Sequence, residues 1–240
     1  MNKNELLEMT KGGIIVSCQV KPDDPLYLDG IVGKLAQCAI WGGACGLRLN
    51  TPDDIAAVRS ITELPIIGLW KEHSKGSDVF ITPTLRHVEA VLAAGADVVA
   101  VDATDRLNAD GQKAFTLIKE IRRVYGDVPV LADIRNAGEA SQAMAAGADM
   151  VAPTLYRFNE HPKSAEEPDF EELVKIIKAC RNAGPVFMEG KINTPEQAME
   201  SLYLGAHAVI VGSAITRPHL TTLRFTNKVS GKINGMPLYY

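Results

Sequence analysis

Three short phrases decide the fold of this chain: G-A-D-V-V-A-V-D at Gly95–Asp102, G-A-D-M-V-A-P-T at Gly147–Thr154 and G-A-H-A-V-I-V-G at Gly205–Gly212. Each follows an alanine-rich helical stretch: V-E-A-V-L-A-A, A-S-Q-A-M-A-A and P-E-Q-A-M-E-S-L-Y-L. Glycine at that point ends the helix in a left-handed cap, and the apolar run behind it reads as a strand buried on both faces. The intervals between the phrases are unequal, which excludes a tight solenoid and suits pairs of strand–helix units.

The same reading extends to the rest of the chain. Short apolar runs predict strands at Gly13–Ser17, Gly46–Leu49, Pro65–Leu69, Val98–Val101, Val128–Ala132, Met150–Pro153, Pro185–Met188 and Ala208–Val211. Helix-period stretches lie between them at Leu28–Ile40, Pro52–Ile61, Leu85–Ala94, Gly111–Tyr125, Ala137–Ala146, Asp169–Ala183, Pro195–Leu204 and Arg217–Lys228. Thr51-Pro52 and Thr194-Pro195 are helix starts, each a cap residue with proline in the first turn. Eight unbroken alternations predict an α/β protein with a single (β/α)8 TIM barrel. An open doubly wound sheet would call for a glycine-rich turn after the first strand, where this chain has S-C-Q-V-K-P. The expected domain is 1–240, with 231–240 as a C-terminal tail, and Arg157–Pro168 reads as an active-site loop or lid.

Composition bounds the function. The 240 residues are 46% hydrophobic and 22% charged, enough for a sizeable core and incompatible with a disordered chain. A net charge of −4 offers no basic field for nucleic acid or an anionic membrane. No apolar run is long enough to span a bilayer, and the N-terminal stretch carries glutamates where a signal peptide needs an apolar run. Cys18, Cys38, Cys45 and Cys180 have no C-x-x-C spacing and read as reduced thiols. A cytoplasmic protein is expected.

In such a barrel, chemistry sits at the C-terminal ends of the strands. The polar residues that fall there are Gln19, Arg48, Lys71, Asp102, Asp133, Thr154, Glu189 and Ser213. Stability alone gives no reason to gather them on one rim. Lys71 follows the apolar P-I-I-G-L-W, where burial or Arg48 can lower its pKa, making it a general base or a Schiff-base nucleophile. Glu189 is a carboxylate partner in the same site. Asp133 is placed to orient a substrate hydroxyl or Lys71, and Asp102 to bind substrate or to anchor Thr104 or Lys71. The loops carrying Gly190 and Gly212-Ser213, with Arg217 at the head of the next helix, form an expected phosphate site after strands seven and eight. No metal-ligand spacing occurs among the histidines, and His207, at the opposite end of the barrel, reads as structural. Neither a metal nor an organic cofactor is expected.

Several segments carry a resemblance to a known family. I-V-S-C-Q at Ile15–Gln19, G-L-R at Gly46–Arg48, I-I-G-L-W-K at Ile66–Lys71 and F-I-T-P-T at Phe80–Thr84 begin the series. V-D-A-T at Val101–Thr104, L-A-D-I at Leu131–Ile134, M-E-G-K-I-N-T-P-E-Q-A at Met188–Ala198 and G-A-H-A-V-I-V-G-S-A-I-T-R-P at Gly205–Pro218 complete it. Together the chain resembles the N-acetylmannosamine-6-phosphate 2-epimerases. The resemblance implies a bacterial enzyme of sialic acid catabolism that interconverts the 6-phosphates of N-acetylmannosamine and N-acetylglucosamine. It further implies Lys71 as catalytic acid/base with Glu189, and sugar contacts from Gln19, Arg48 and Asp133. Asp102 and Thr154 join the expected substrate-binding set, the phosphate lies near Gly190, Gly212, Ser213 and Arg217, and the assembly is a homodimer. The match departs at Ala152–Glu160 and at Glu72, where a basic residue is usual. Proton removal from C2 through an enediolate needs no redox cofactor, which fits the residues. The rival readings are an aldolase-type lyase using Lys71 covalently and a non-catalytic sugar-phosphate-binding barrel.

Overall fold

The computed structural model describes residues 1–156 and 167–230. The strands are β1 (Ile14–Cys18), β2 (Gly46–Asn50), β3 (Ile66–Leu69), β4 (Val98–Asp102), β5 (Val130–Asp133), β6 (Met150–Ala152), β7 (Phe187–Glu189) and β8 (Ala208–Val211). The helices are α1 (Lys3–Thr10), α2 (Ile31–Trp41), α3 (Pro52–Arg59), α4 (Leu85–Ala93), α5 (Thr116–Tyr125), α6 (Ala137–Ala146), α7 (Phe170–Cys180), α8 (Pro195–Tyr203), α9 (Ser213–Thr216) and α10 (Pro218–Ser230). All eight strands are parallel, in the order β6-β5-β4-β3-β2-β1-β8-β7. A single parallel bridge, Val151 to Val186, closes the barrel between β6 and β7.

Alternation along each strand sorts side chains into two cores. Val16, Leu47, Leu49, Val99, Val101, Val130, Ala132, Val209 and Val211 point outward and pack against the helices. Ile15, Ile67, Leu69, Val98, Ala100, Leu131, Met150, Ala152, Phe187, Ala208 and Ile210 point inward and fill the barrel. Because the side-chain period is two, the inward positions continue upward to Ser17 and Gln19, Arg48 and Asn50, Lys71, Asp102, Asp133, Thr154 and Glu189. Strand parity therefore delivers the polar rim to one mouth.

The helix ends follow the expected chemistry. Gly95, Gly147 and Gly205 all have φ between 101° and 110°, the left-handed region that glycine enters without a Cβ penalty. Thr194 and Gln197 form a capping box ahead of Pro195, and the Thr51 hydroxyl accepts from the Asp54 N–H at 3.4 Å.

Several boundaries differ from the sequence reading. The helix expected from Gly111 begins at Thr116, since 111–115 form turns, and the helix expected to reach Ala183 ends at Cys180. Helix α1 was not anticipated. It closes the N-terminal end of the barrel, with Leu6 buried in the inner core and the Thr10 hydroxyl 3.2 Å from His207 Nε2, which also lies 3.0 Å from Leu7 O. His207 is thus structural, as expected, and burial lowers its pKa. Arg217 heads α10 as expected, one residue ahead of Pro218, its carbonyl accepting from the Thr221 N–H at 3.2 Å, and the short helix α9 precedes it. The loop expected at Arg157–Pro168 lies, from 157 to 166, outside the described residues, as does the tail from 231 to 240.

Candidate active site

Arg48 occupies the centre of the C-terminal mouth. It projects inward from β2 and is 1% exposed. Its Nη1 donates to Asp133 Oδ1 at 3.0 Å and to Thr154 Oγ1 at 3.2 Å, and its Nη2 donates to Asp133 Oδ2 at 2.6 Å. The same Nη1 donates to Glu189 Oε2, and the Thr154 hydroxyl donates to that oxygen at 3.1 Å. One guanidinium therefore gathers groups from β5, from the loop after β6, and from β7. Burial alone would lower the Arg48 pKa, but the two carboxylates outweigh it and hold it above its ordinary value. Arg48 Nε is buried and has no hydrogen-bond partner among the described residues.

These groups form two layers. Arg48 and Asp133 lie at the bottom, closed to solvent. Thr154, Glu189, Gln19 and Lys71 lie above them and are partly or fully exposed. The Lys71 Nζ donates to Gln19 Oε1 at 2.6 Å, and Gln19 Nε2 donates to Ser17 Oγ at 2.9 Å. The Lys71 backbone is fixed as well: its N–H donates to Asn50 Oδ1 at 2.8 Å, and Lys71 bridges Ile81 in the segment before α4.

The electrostatics of this mouth are unusual. Lys71 is open to solvent at the rim, yet protein crowds its ammonium within the concave mouth. That burial, with the Arg48 charge, lowers its pKa to about 8 against the opposing pull of Glu189 and Asp133. Glu189 moves the other way. Burial raises its pKa, opposed chiefly by Arg48, and Asp133 raises it further. A lysine lowered and a carboxylate raised in one mouth is an arrangement suited to proton transfer near neutral pH.

The remaining expected residues fall in two places. Asp102 is buried beside Asp133 in the β4–β5 register, but its carboxylate is taken by the Thr104 N–H and hydroxyl, at 3.1 and 2.7 Å, and by Arg106. Burial raises its pKa despite Arg106. The structure thus puts Asp102 in the Thr104 anchor arrangement. Gly190, with φ of 113°, follows β7, while Gly212 and Ser213 open the short helix α9 after β8. The Thr216 hydroxyl donates to Ser17 O at 3.2 Å and locks α9 against β1. Arg217 Nε is 3.4 Å from Asp24 Oδ2. A cleft bordered by Thr154, Tyr156, Asp169, Glu189, Gly190 and Lys191 opens beside Glu189.

Sequence reasoning missed Ser17, Asn50, Asp24 and Arg106. Ser17 and Asn50 were accessible by parity, since each lies two residues from a singled-out inward position. Among the described residues, no group of three or more His, Cys, Asp or Glu side chains could hold a metal ion.

Known proteins resemble this chain along most of its length. A family described as "Putative N-acetylmannosamine-6-phosphate epimerase" matches residues 32–231. A relative from Listeria welshimeri, named "Putative N-acetylmannosamine-6-phosphate 2-epimerase", is 40% identical over 228 residues, covering 94% of this chain and 96% of its own. A relative of the same name from Clostridioides difficile is 39% identical over 224 residues, covering 93% and 99%. Among solved structures, the N-acetylmannosamine-6-phosphate 2-epimerase from Clostridium perfringens superposes with a TM-score of 0.87 at 36% identity, covering 95% of this chain and 98% of that one.

Proposed function

The chain belongs to the N-acetylmannosamine-6-phosphate epimerase family, and on that premise we propose that it interconverts N-acetylmannosamine 6-phosphate and N-acetylglucosamine 6-phosphate. The observation that carries the proposal is the facing pair in the mouth, Lys71 with its pKa lowered to about 8 and Glu189 with its pKa raised.

The chemistry needs a base, a proton return and a place for negative charge. In the open-chain sugar the C2 hydrogen is α to the C1 aldehyde. Neutral Lys71 takes that proton as the C–H electron pair moves onto C1–C2 and the carbonyl pair onto O1. The intermediate is an enolate, since C2 carries nitrogen in place of a second oxygen. Return of a proton to the opposite face of C2 completes the inversion, and no electron acceptor is consumed. The fixed charge of Arg48 beneath the mouth favours the developing anion electrostatically. Gln19 holds the Lys71 Nζ in position. Glu189, on the far wall, handles the second proton position, and Thr154 and Asp133 orient Glu189 and Arg48. Asp102 supports the β4 side of the site. The phosphate is held at Gly190, Gly212, Ser213 and Arg217, where small residues admit close backbone approach.

We read the whole chain as one barrel domain acting in the cytoplasm on amino sugar phosphates released in sialic acid breakdown, as a homodimer. Among the described residues no helix is long and apolar enough to cross a membrane. The exposed Phe225 and Val229 of α10 offer apolar surface to a second copy.

Proton NMR of the purified protein with N-acetylmannosamine 6-phosphate in D2O, with EDTA present, tests the function. Growth of the N-acetylglucosamine epimer with deuterium at C2 is the expected result. Neither epimer nor exchange, with binding still seen by calorimetry, would make the protein a sugar-phosphate-binding barrel instead.

A further inference from the structure

We infer that Asp24 is a positioning residue for phosphate binding: it fixes the Arg217 guanidinium by its Nε, leaving the two Nη groups for the substrate's phosphate. The inference rests on the proposed phosphate site and adds a residue to it.

Asp24 lies in the loop of residues 19–30 between β1 and α2, and its side chain is only 4% exposed. A carboxylate so buried needs partners. It has three: the Leu26 N–H donates to Oδ1 at 3.0 Å, Arg217 Nε lies 3.4 Å from Oδ2, and His219 Nδ1 lies 3.9 Å from Oδ1. The Asp24 backbone is fixed too, by a turn in which its N–H donates to Lys21 O at 3.0 Å and its carbonyl accepts from Tyr27 at 2.8 Å. A buried acceptor held this firmly dictates where its cation can sit.

Arg217 is fixed from its own side. It lies between α9 and α10, and its N–H donates to Ser213 O at 3.3 Å, so its Cα is tied to the helix that follows Gly212. Its side chain is 19% exposed, and neither Nη has a hydrogen-bond partner among the described residues. Guanidinium forks match phosphate oxygens in bidentate fashion. Anchoring Nε while both Nη groups stay open is the arrangement that lowers the ordering cost of such a contact. The same loop begins with Gln19, which holds Lys71. One connection therefore sets both the reacting amine and the phosphate cation.

The experiment compares Asp24→Asn, Asp24→Glu, Arg217→Ala and the Asp24→Asn/Arg217→Ala double variant. Turnover of N-acetylmannosamine 6-phosphate and competitive inhibition by inorganic phosphate are measured for each. Asp24→Asn is expected to raise KM and the phosphate inhibition constant roughly tenfold, the scale of one charge-assisted contact, with kcat within about twofold. Asp24→Glu recovers part of the loss, and Asp24→Asn adds nothing once Arg217 is alanine. An unchanged KM and inhibition constant overturns the inference. So does a loss of kcat with a lowered melting temperature and no recovery in Asp24→Glu, or full additivity in the double variant. If the wild-type protein does not turn the sugar over, the proposed function fails separately, and calorimetric affinity for inorganic phosphate still decides the role of Asp24.

Discussion

Lys71 and Glu189 stand across the barrel from one another, on the β3 and β7 sides, and no ion pair joins them among the described residues. Glu189 is paired with Arg48, while the Lys71 amine rests on the neutral Gln19. A direct carboxylate partner would hold the lysine protonated. Kept apart, the lysine can lose its proton near neutral pH.

The pH profile follows from that separation. In the proposed mechanism Lys71 acts as a base only when neutral, and its pKa is lowered to about 8. The kcat/KM for N-acetylmannosamine 6-phosphate should therefore rise with pH through about 8 and level off above it. A profile flat from pH 6 to 10 would remove Lys71 from the proton transfer.

Removing the amine should abolish chemistry while sparing binding. Lys71→Ala is expected to lower kcat by about a hundredfold or more, the usual scale of a lost general base. Calorimetry should show sugar-phosphate affinity within a fewfold of wild type. Loss of C2 deuterium exchange in the same variant checks the step directly. Borohydride added with substrate should trap no adduct on the wild-type protein, since an enolate route forms no imine.

The buried and exposed ion pairs should differ sharply in stability. Asp133 is 0% exposed and meets Arg48 through two oxygens. Asp133→Asn replaces a charge beneath the site and should cost about 3–5 kcal/mol in urea unfolding. Glu72→Gln breaks a pair with Arg86 whose side chains are 42% and 64% exposed, and should cost about 0–1 kcal/mol. Equal losses would mean that burial is not what distinguishes the two.

Gly147 ends α6 at a φ of 110°, and an added Cβ would approach Arg122 Cγ to 3.1 Å. Arg122 is itself fixed by donating to Gly147 O at 2.7 Å. Gly147→Ala should therefore destabilise the protein by about 1–2 kcal/mol, read as a lowered melting temperature without change in KM.

The strands were legible because each is a short, largely apolar run with a polar residue at or just past its upper end. The helix stops were legible in Gly95, Gly147 and Gly205. Parity then places Lys71, Glu189, Asp133 and Arg48 in one mouth, as the rim residues suggested. Helix α1 was not legible, because K-N-E-L-L-E-M-T has little amphipathic pattern of its own and gains its burial from the barrel end that Leu6 covers. The break between α9 and α10 was available in Arg217-Pro218, since the residue before proline is pushed out of helical backbone. The depth of Arg48 was beyond a linear reading. It depends on Asp133, Thr154 and Glu189 converging from separate parts of the chain.

The closure between β6 and β7 gives those last contacts a second meaning. The ladder there has shrunk to one bridge, and Thr154 and Glu189 face each other across the gap. The proposed reaction centre is then also a staple on the weakest joint of the cylinder. Substitutions at Thr154 or Glu189 should loosen amide protection at Val151 and Phe187, and substrate that tightens this corner should slow exchange there. On the proposed mechanism, affinity and the integrity of the wall share the same few atoms.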